Sequence, residues 1–264
     1  QFPARDPDIK KAIRGLFLPE EGDKWGSFDY SSQEPRLLVH FASAVPERFK
    51  HNVVDTIVEE YNSGDVDLHQ MVADLAGISR KEAKVVNLGI MYGMGVGKLS
   101  NQLDISKDEA KDILELYNDK VPFVKQIATI ASQRATTEGQ IRTILGRRCR
   151  FHLWEPRTFG YNKAMPLAEA EKEYGGLGML RRAFTYKALN KLIQGSAADQ
   201  TKKAMVDCYA ENFTPMLTVH DELCFSVQNE EQAKRITEIM ETGLPLNVPT
   251  RVDCEMGDNW GEAG

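Results

Sequence analysis

The chain has 264 residues, of which 42% are hydrophobic and 27% charged, and its formal net charge at pH 7 is −6. This balance excludes a disordered chain and predicts one large domain or two small ones, each with a core. No apolar run approaches the roughly 20 residues needed to span a bilayer, and the first residues lack a signal-peptide pattern. The acidic total argues against indiscriminate nucleic-acid binding, because a surface that follows phosphates usually makes a domain basic.

The first predicted strand is WGSFDY, which ends at Asp29. The following text, SSQEPRLLVHFASAV, has a helical pattern, with Ser31 or Ser32 able to cap the first turn and Pro35 tolerated inside it. Asp29 is thereby predicted to lie at a junction between strand and helix, where a rigid sheet edge can present an acid to a metal ion. An acid at a strand end can equally serve as a helix cap.

Residues 51–140 show apolar residues at helical spacing, with Ser or Asp before several segments and Gly or Pro after them. A hairpin follows, turning at Leu145 and Gly146 and carrying Arg147, Arg148 and Arg150, which are either solvated or able to contact phosphates. We expect a loop over 152–178, a long helix over 180–211, a helix capped by Asn229, and a last strand in VPTRVDCEMGDNW. This order predicts an α+β fold, with an antiparallel sheet interrupted by a large helical insertion.

One predicted helix of the insertion, SRKEAKVVNLGIMYGMG, carries a stripe of candidate ligand-binding residues along one face. Arg80, Lys84, Leu88 and Tyr92 recur every four residues, so one face presents two cations near the helix N-terminus and then an apolar and an aromatic group. This order suits a nucleoside triphosphate, although an ordinary amphipathic helix has the same spacing. Ser79 and Glu82 predict a capping box, and Gly93, Gly95 and Gly97 predict a flexible loop after the helix.

The segment 216–227, MLTVHDELCFSV, predicts a tight hairpin with His220, Asp221 and Glu222 at its tip. Two adjacent carboxylates held by a rigid hairpin are stabilised by a hard divalent cation, and oxygen ligands favour Mg²⁺ or Mn²⁺. A solvated surface turn is the alternative. The four cysteines, Cys149, Cys208, Cys224 and Cys254, form no CxxC pair and predict free thiols in a reducing cytoplasm.

These motifs together carry a resemblance to the bacterial DNA polymerase I family (family A), in a divergent or phage-like form. DYSSQEPRLLVHFA resembles the first catalytic motif of that family, RKEAKVVNLGIMYG its nucleotide-binding helix, LTVHDELCFSV its second catalytic motif, and LNKLIQGSAAD a segment beside the primer-template. The resemblance implies a palm in residues 1–54 and 179–264 and helical fingers in 55–178. It also implies a template-directed DNA polymerase, located in the cytoplasm of a bacterium or a phage-infected cell.

The resemblance assigns roles to individual residues. Asp29, Asp221 and the carbonyl of Tyr30 are implied ligands of two Mg²⁺ ions, with Mn²⁺ possible, and Glu222 is a nearby, less essential acid. The implied nucleotide-binding residues are Arg80, Lys84, Leu88, Tyr92, Glu34, His69, Tyr30 and Gln33, with Lys84 also a candidate proton donor to pyrophosphate. The implied primer-template contacts are Asn190, Gln194, His220 and Arg5.

The chain departs from the family pattern at three positions. Leu88 replaces an aromatic residue against the nucleotide sugar, Pro35 replaces a leucine, and Tyr186 stands where many members have arginine. We expect the thumb and further N-terminal parts to belong to the same polypeptide, and primer-template DNA and deoxynucleoside triphosphates to be the partners. Two other functions stay open on the sequence: a catalytically silent nucleic-acid-binding fragment, and a two-metal nuclease.

Overall fold

A computed structural model describes residues 7–64, 67–158, 160 and 162–263. Arg5 lies outside the described residues. The described residues up to Leu37 and those from Ala197 onward form one compact unit, the sheet unit, and Leu38–Ser196 form a second, the helical unit. The predicted division at residues 54 and 178 stays a prediction. Among the described helices, none combines the length and the apolar character needed to cross a lipid bilayer.

The helices and strands follow one another along the chain. The α-helices are α1 (Pro7–Arg14), α2 (Gln33–Ser43), α3 (Val53–Ser63), α4 (Leu68–Ala76), α5 (Arg80–Met91), α6 (Val96–Leu103), α7 (Lys107–Lys120), α8 (Pro122–Thr137), α9 (Leu167–Tyr174), α10 (Ala188–Ala210) and α11 (Glu230–Thr242). The strands are β1 (Lys24–Tyr30), β2 (Gln140–Arg142), β3 (Arg148–Arg150), β4 (Leu153–Pro156), β5 (Met165–Pro166), β6 (Leu180–Arg182), β7 (Leu217–Val219), β8 (Glu222–Val227) and β9 (Val252–Gly257).

The sheet unit contains a four-stranded sheet in the order β7-β8-β1-β9, in which every pair is antiparallel. β1 is a central strand, although it comes first in the chain. The predicted α+β fold with an antiparallel sheet is confirmed. The last strand and the Asn229-capped helix are also confirmed, since the Asn229 side chain accepts a hydrogen bond from the Gln232 N–H.

The two faces of the sheet differ because side chains alternate along each strand. Phe28 and Tyr30 of β1 pack with Leu223 and Phe225 of β8 into a core that includes the inner face of α11, where Ile236 is fully buried. This packing fixes which residues of β1 face away from the helices. Asp29, between Phe28 and Tyr30, points to the opposite face and is exposed.

The opposite face is partly covered by a smaller aromatic cluster. The rings of Trp25 and Trp260 are stacked with centroids 6.3 Å apart, and Phe17 meets Trp260 edge-on at 5.4 Å. Cys224 is buried in the same cluster. This packing holds the C-terminal segment against the face of the sheet that carries Asp29.

The helical unit confirms the helices predicted over 51–140 and the arginine-bearing hairpin. Helices α5 and α7 begin with complete capping boxes, Ser79 with Glu82 and Ser106 with Glu109, which satisfy free N–H groups of each first turn. Strands β2 and β3 pair antiparallel, and Gly146 takes the positive φ of 82° that the turn requires.

Four details of the sequence interpretation were wrong. The expected glycine loop contains α6, which starts after Gly95, and the expected loop over 152–178 contains β4, β5 and α9, held by a cluster of Met165, Ala170 and Leu180. The long helix begins at Ala188, because Leu180–Arg182 pair with β4. β1 continues one residue beyond Asp29.

Candidate active site

Asp29 lies in the middle of a row of acids across the sheet. It is directly opposite Glu222 of β8 on one side and Asp253 of β9 on the other. Directly opposite residues of an antiparallel pair project to the same face with Cβ atoms about 4.5–5.5 Å apart. Like charges directly opposite one another destabilise a sheet, so this row of acids favours a bound cation.

Asp221 lies one residue before this row. β7 and β8 are joined by a two-residue turn, His220 and Asp221, because Val219 pairs with Glu222. His220 is exposed and takes a left-handed φ of 57°, a conformation uncommon for residues other than glycine. The predicted hairpin is therefore confirmed, and the register brings Asp221 next to the residue opposite Asp29.

Glu222 is held in place by the aromatic cluster. Its Oε1 accepts a hydrogen bond from the Trp260 indole N–H at 3.0 Å and one from the Cys224 thiol at 3.3 Å. Burial, reinforced by the Glu222 charge, raises the pKa of the Cys224 thiol to about 12, so the thiol stays a protonated donor. These contacts fix the carboxylate of Glu222 as a supporting group beside Asp29 and Asp221.

Asp253 was not identified from the sequence, although it lies beside Asp29. Its Oδ2 accepts a hydrogen bond from the Ser31 hydroxyl at 2.6 Å. The Ser31 hydroxyl therefore donates to β9, and the predicted capping of α2 by Ser31 or Ser32 stays a prediction. The acidic character of VDCEMG was visible in the sequence, but only the pairing of β9 with β1 shows that Asp253 faces this edge.

The junction between β1 and α2 is anchored from several sides. Arg36, only 5% exposed, donates from Nε to the Ser31 carbonyl at 2.9 Å and from Nη1 to the Pro249 carbonyl at 2.6 Å. The Tyr30 hydroxyl donates to the Met240 carbonyl at 3.1 Å, and burial raises the pKa of Tyr30. The backbone that carries Asp29 and Tyr30 is thus fixed to α11 and to the segment before β9.

Two implied nucleotide contacts lie in the first turn of α2. Gln33 is buried, and its amide donates to the Ala197 carbonyl at 3.3 Å and to the Thr201 hydroxyl at 3.2 Å. Glu34 is half-buried in the same turn. The amide of Gln33 is therefore engaged with α10, and the predicted nucleotide contacts of both residues stay predictions.

The carboxylates in and beside this row of acids fit the metal ions that the resemblance implies. Carboxylate oxygens of Asp29 and Asp221 are ligands of the hard type that Mg²⁺ and Mn²⁺ prefer. Within the described residues, no group of three or more His, Cys, Asp or Glu side chains is placed to hold a metal ion. Mg²⁺ is commonly held by one or two carboxylates, with water and substrate phosphates completing its shell. The set therefore suits an ion that is bound together with a phosphate-bearing substrate.

The predicted stripe on α5 is arranged as the spacing requires. Arg80 and Lys84 are exposed, Leu88 is half-buried, and Ala83 and Val86, on the other side of the helix, are fully buried. Tyr92 caps the C-terminal end of the helix, and its N–H donates to carbonyls of the last turn. A helix with a buried apolar face thus presents both cations outward at its N-terminal half.

The Arg80 guanidinium is held by an acid of the preceding helix. Its Nε donates to Asp67 Oδ2 at 2.5 Å, while Asp67 Oδ1 caps α4 by accepting from the N–H groups of His69 and Gln70. Burial opposes ionisation of Asp67, but these bonds outweigh it and hold the pKa of Asp67 below its ordinary value. Arg80 is therefore kept at the N-terminus of α5 by an ion pair.

Asn190 and Gln194, the implied primer-template contacts, lie one turn apart on α10. Asn190 is half-buried and Gln194 is exposed. The arginine hairpin packs beside them, since Arg147 Nη2 donates to the Gly195 carbonyl at 2.7 Å and the Ile144 N–H donates to the Ser196 hydroxyl at 3.0 Å. A basic hairpin is thus attached to α10 within two residues of Gln194.

Comparisons with known proteins point to one family. A family model described as DNA polymerase family A matches residues 1–262. The chain is 36% identical to a DNA-directed DNA polymerase of Pseudomonas phage M6, with 100% of the chain and 42% of the relative covered. It is 31% identical to DNA polymerase I of Rhizobium leguminosarum, with 99% of the chain and 25% of the relative covered.

A solved structure is similar over the whole chain. It is the POL domain of Pol1 from M. smegmatis in complex with DNA primer-template and dNTP, with a TM-score of 0.75 and 29% identity, covering 100% of this chain and 44% of that one. The chain therefore spans less than half the length of each of these three proteins.

Proposed function

The chain belongs to DNA polymerase family A, and from this premise we propose that the protein is a template-directed DNA polymerase that adds deoxynucleotides to a primer 3′-hydroxyl and releases pyrophosphate. The observation that carries the proposal is the register of the sheet, in which Asp29 is opposite Glu222, the residue that follows Asp221 in the chain. The complex of the M. smegmatis relative with DNA primer-template and dNTP supports the same partners for this chain. The remaining parts of the longer polymerases are proposed to complete the grip on DNA.

Asp29, Asp221 and the Tyr30 carbonyl are proposed to hold two Mg²⁺ ions, for which Mn²⁺ can substitute. Bound there, such ions lower the pKa of the attacking hydroxyl and stabilise the attacking and leaving oxygens. Glu222 supports this edge from its fixed position under Trp260. Cations bound at the acid row neutralise its carboxylates and also bind substrate phosphates. Binding of the cations and binding of the substrate therefore reinforce each other.

The helix α5 is proposed to bind the triphosphate. The exposed cations Arg80 and Lys84 offer charge-assisted hydrogen bonds to phosphate oxygens, and the N-terminal end of the helix dipole adds to the attraction. Lys84 is the candidate donor of a proton to the departing pyrophosphate. Leu88 and Tyr92 follow along the helix toward the sugar and the templating base, Glu34 limits space at the sugar 2′ position, and His69 assists at the phosphates.

The nucleic acid is proposed to contact Asn190, Gln194 and His220, with Arg5 as a further candidate. Asn190 and Gln194 share one face of α10, and the adjoining hairpin adds arginines able to bind backbone phosphates. Because pairing with the template supplies the sequence information, these contacts need only test the position and shape of the new base pair.

The test is primer extension by the full-length protein with Mg²⁺. We expect Asp29→Asn and Asp221→Asn each to reduce extension by at least about a thousandfold, the loss typical of removing a principal catalytic group. Asp112→Asn, at an exposed acid of α7, is the matched control and should extend at the wild-type rate. Near-normal extension by either site variant would reject the assignment.

The triphosphate site is tested separately on α5. Lys84→Ala should raise the nucleotide KM and lower kcat, whereas Lys81→Ala, at an exposed lysine of the same helix outside the stripe, should change neither strongly. Wild-type protein that shifts DNA in a gel without extending it would indicate a silent binding fragment. Degradation of labelled DNA without added nucleotides would indicate a nuclease.

A further inference from the structure

A chain of three buried polar side chains joins three helices of the helical unit. His69 of α4, Asn87 of α5 and Tyr117 of α7 are 3%, 1% and 3% exposed, respectively. The Tyr117 hydroxyl donates to Asn87 Oδ1 at 2.9 Å, and Asn87 Nδ2 lies 3.1 Å from His69 Nδ1. The residues are 18 and 30 positions apart in sequence, so the chain exists only because the helices pack together.

The order of donors and acceptors fixes the proton on His69. Burial raises the pKa of Tyr117, which therefore remains a hydroxyl and can donate to the amide oxygen of Asn87. The amide nitrogen then faces His69 Nδ1, and because an amide nitrogen only donates, Nδ1 must accept. A neutral imidazole that accepts at Nδ1 carries its proton on Nε2. Within the described residues, no acceptor is bonded to that Nε2.

We propose that Asn87 is a positioning residue that fixes His69 as a neutral donor with its proton on Nε2, directed to a phosphate oxygen of the incoming nucleotide. This rests on the proposed function. Arg80 and Lys84 supply the charge, and His69 adds a hydrogen bond whose direction is set by the buried chain. The same hydrogen bonds link α5 to α4 and α7, so they orient both α5, which carries Arg80 and Lys84, and the imidazole of His69.

The surroundings of His69 favour the neutral ring. Burial lowers the pKa of His69, the carboxylate of Asp67 opposes that effect, and the cations Lys84 and Arg80 add to it. Tyr117, the titratable group that reaches the chain from α7, stays uncharged. A second donor that needs no charge avoids adding a third cation to a site that already holds two.

The direct test is ¹⁵N NMR of the full-length protein labelled at histidine, with His69→Gln identifying the signal by its loss. We expect Nε2 to be protonated and Nδ1 unprotonated from pH 6 to 8 without nucleotide. A proton on Nδ1, or an imidazolium over this range, overturns the proposal. Because this measurement needs no turnover, it keeps its meaning even if the protein fails to extend a primer.

The functional test replaces the amide by a carboxylate. In Asn87→Asp, both oxygens accept, so the His69 proton moves to Nδ1 and the donor toward the phosphate is lost. At pH 8 we expect the nucleotide KM to rise about tenfold, the loss of one charge-assisted hydrogen bond, with a smaller change in kcat. The new carboxylate beside Nδ1 favours a second proton on the ring, so as the pH falls toward 6 the donor on Nε2 is regained and the KM should return toward the wild-type value.

Tyr117→Phe is the second variant, because it removes the hydroxyl and leaves Asn87 intact. Here the amide loses the donor that orients it, so NMR should detect both neutral tautomers and the KM should rise by less than in Asn87→Asp. A KM for Asn87→Asp that is raised equally at pH 6 and pH 8 would indicate a packing defect and reject the tautomer role. An unchanged tautomer in Tyr117→Phe would also count against it.

Discussion

Arg36 offers a sharp test of how the backbone around Asp29 is held. Its guanidinium donates to the carbonyls of Ser31 and Pro249, two segments that come together only in the folded sheet unit. Arg36→Lys keeps the positive charge but replaces the planar guanidinium by a single ammonium group. Arg36→Met keeps an aliphatic side chain of similar length and has no hydrogen-bond donor. Both substitutions act through the Ser31 carbonyl, two residues after Asp29, and neither changes a proposed metal ligand.

The expected losses follow from the number of hydrogen bonds removed. A hydrogen bond that involves a charged group contributes about 1.5–3 kcal/mol, so Arg36→Lys, which can retain one of the two, should destabilise the fold by about 2 kcal/mol. Arg36→Met leaves both carbonyls without this donor and should cost about 3–6 kcal/mol. Arg142→Lys, at an exposed arginine of β2, is the control and should change stability by less than about 0.5 kcal/mol.

The assay is urea unfolding followed by tryptophan fluorescence. Two of the three tryptophans, Trp25 and Trp260, are buried together in the sheet unit, so the signal reports on the unit that contains Arg36. The reasoning fails if Arg36→Met is no less stable than the Arg142→Lys control. It also fails if Arg36→Lys and Arg36→Met lose the same amount, because then the number of hydrogen bonds does not decide the loss.

Two further predictions concern the helical unit. The pKa of Asp67 is depressed in the folded protein, so its contribution to stability should be present above about pH 3.9 and be lost as the pH falls through the depressed value. The difference in urea midpoint between wild type and Asp67→Asn should therefore shrink between pH 6 and pH 3, and a constant difference would contradict it. Leu88→Phe places a flat ring at the proposed sugar contact and should change the ratio of dideoxy to deoxynucleotide incorporation by about tenfold. Identical ratios would show that Leu88 serves packing alone.

The helices of the insertion could be predicted because their signals are local. Ser79 and Glu82, or Ser106 and Glu109, lie within one turn of the helix they begin, so the sequence alone contains the whole interaction. The hairpin at Asp221 was found for the same reason, since its two strands are adjacent in the chain. Glycines at 93, 95 and 97 hid α6, because their low helix propensity outweighed the short apolar pattern that packing satisfies.

The details that were missed depend on contacts distant in sequence. β4 pairs with β6 more than twenty residues later, and each strand is too short to have a period of its own. Asp253 could be placed beside Asp29 only from the register of β9, and the bond between Asn87 and Tyr117 spans 30 positions. For His69, the family resemblance implied a phosphate contact. Only the packing of the helices brings Asn87 to its Nδ1, and this contact decides which ring nitrogen carries the proton.

Consecutive side chains of β1 face opposite sides of the sheet, so a single inserted or deleted residue would remove the Asp29 carboxylate from the acid row completely. Adding or removing one residue between Trp25 and Asp29 would turn the carboxylate toward the helix-packed core and expose the ring of Phe28, because neighbouring positions face opposite sides. A change of two residues would restore the side but shift the carboxylate along the strand by about 7 Å. Length variation among functional relatives should therefore be excluded from this strand and concentrated in connections such as the turn at Gly146.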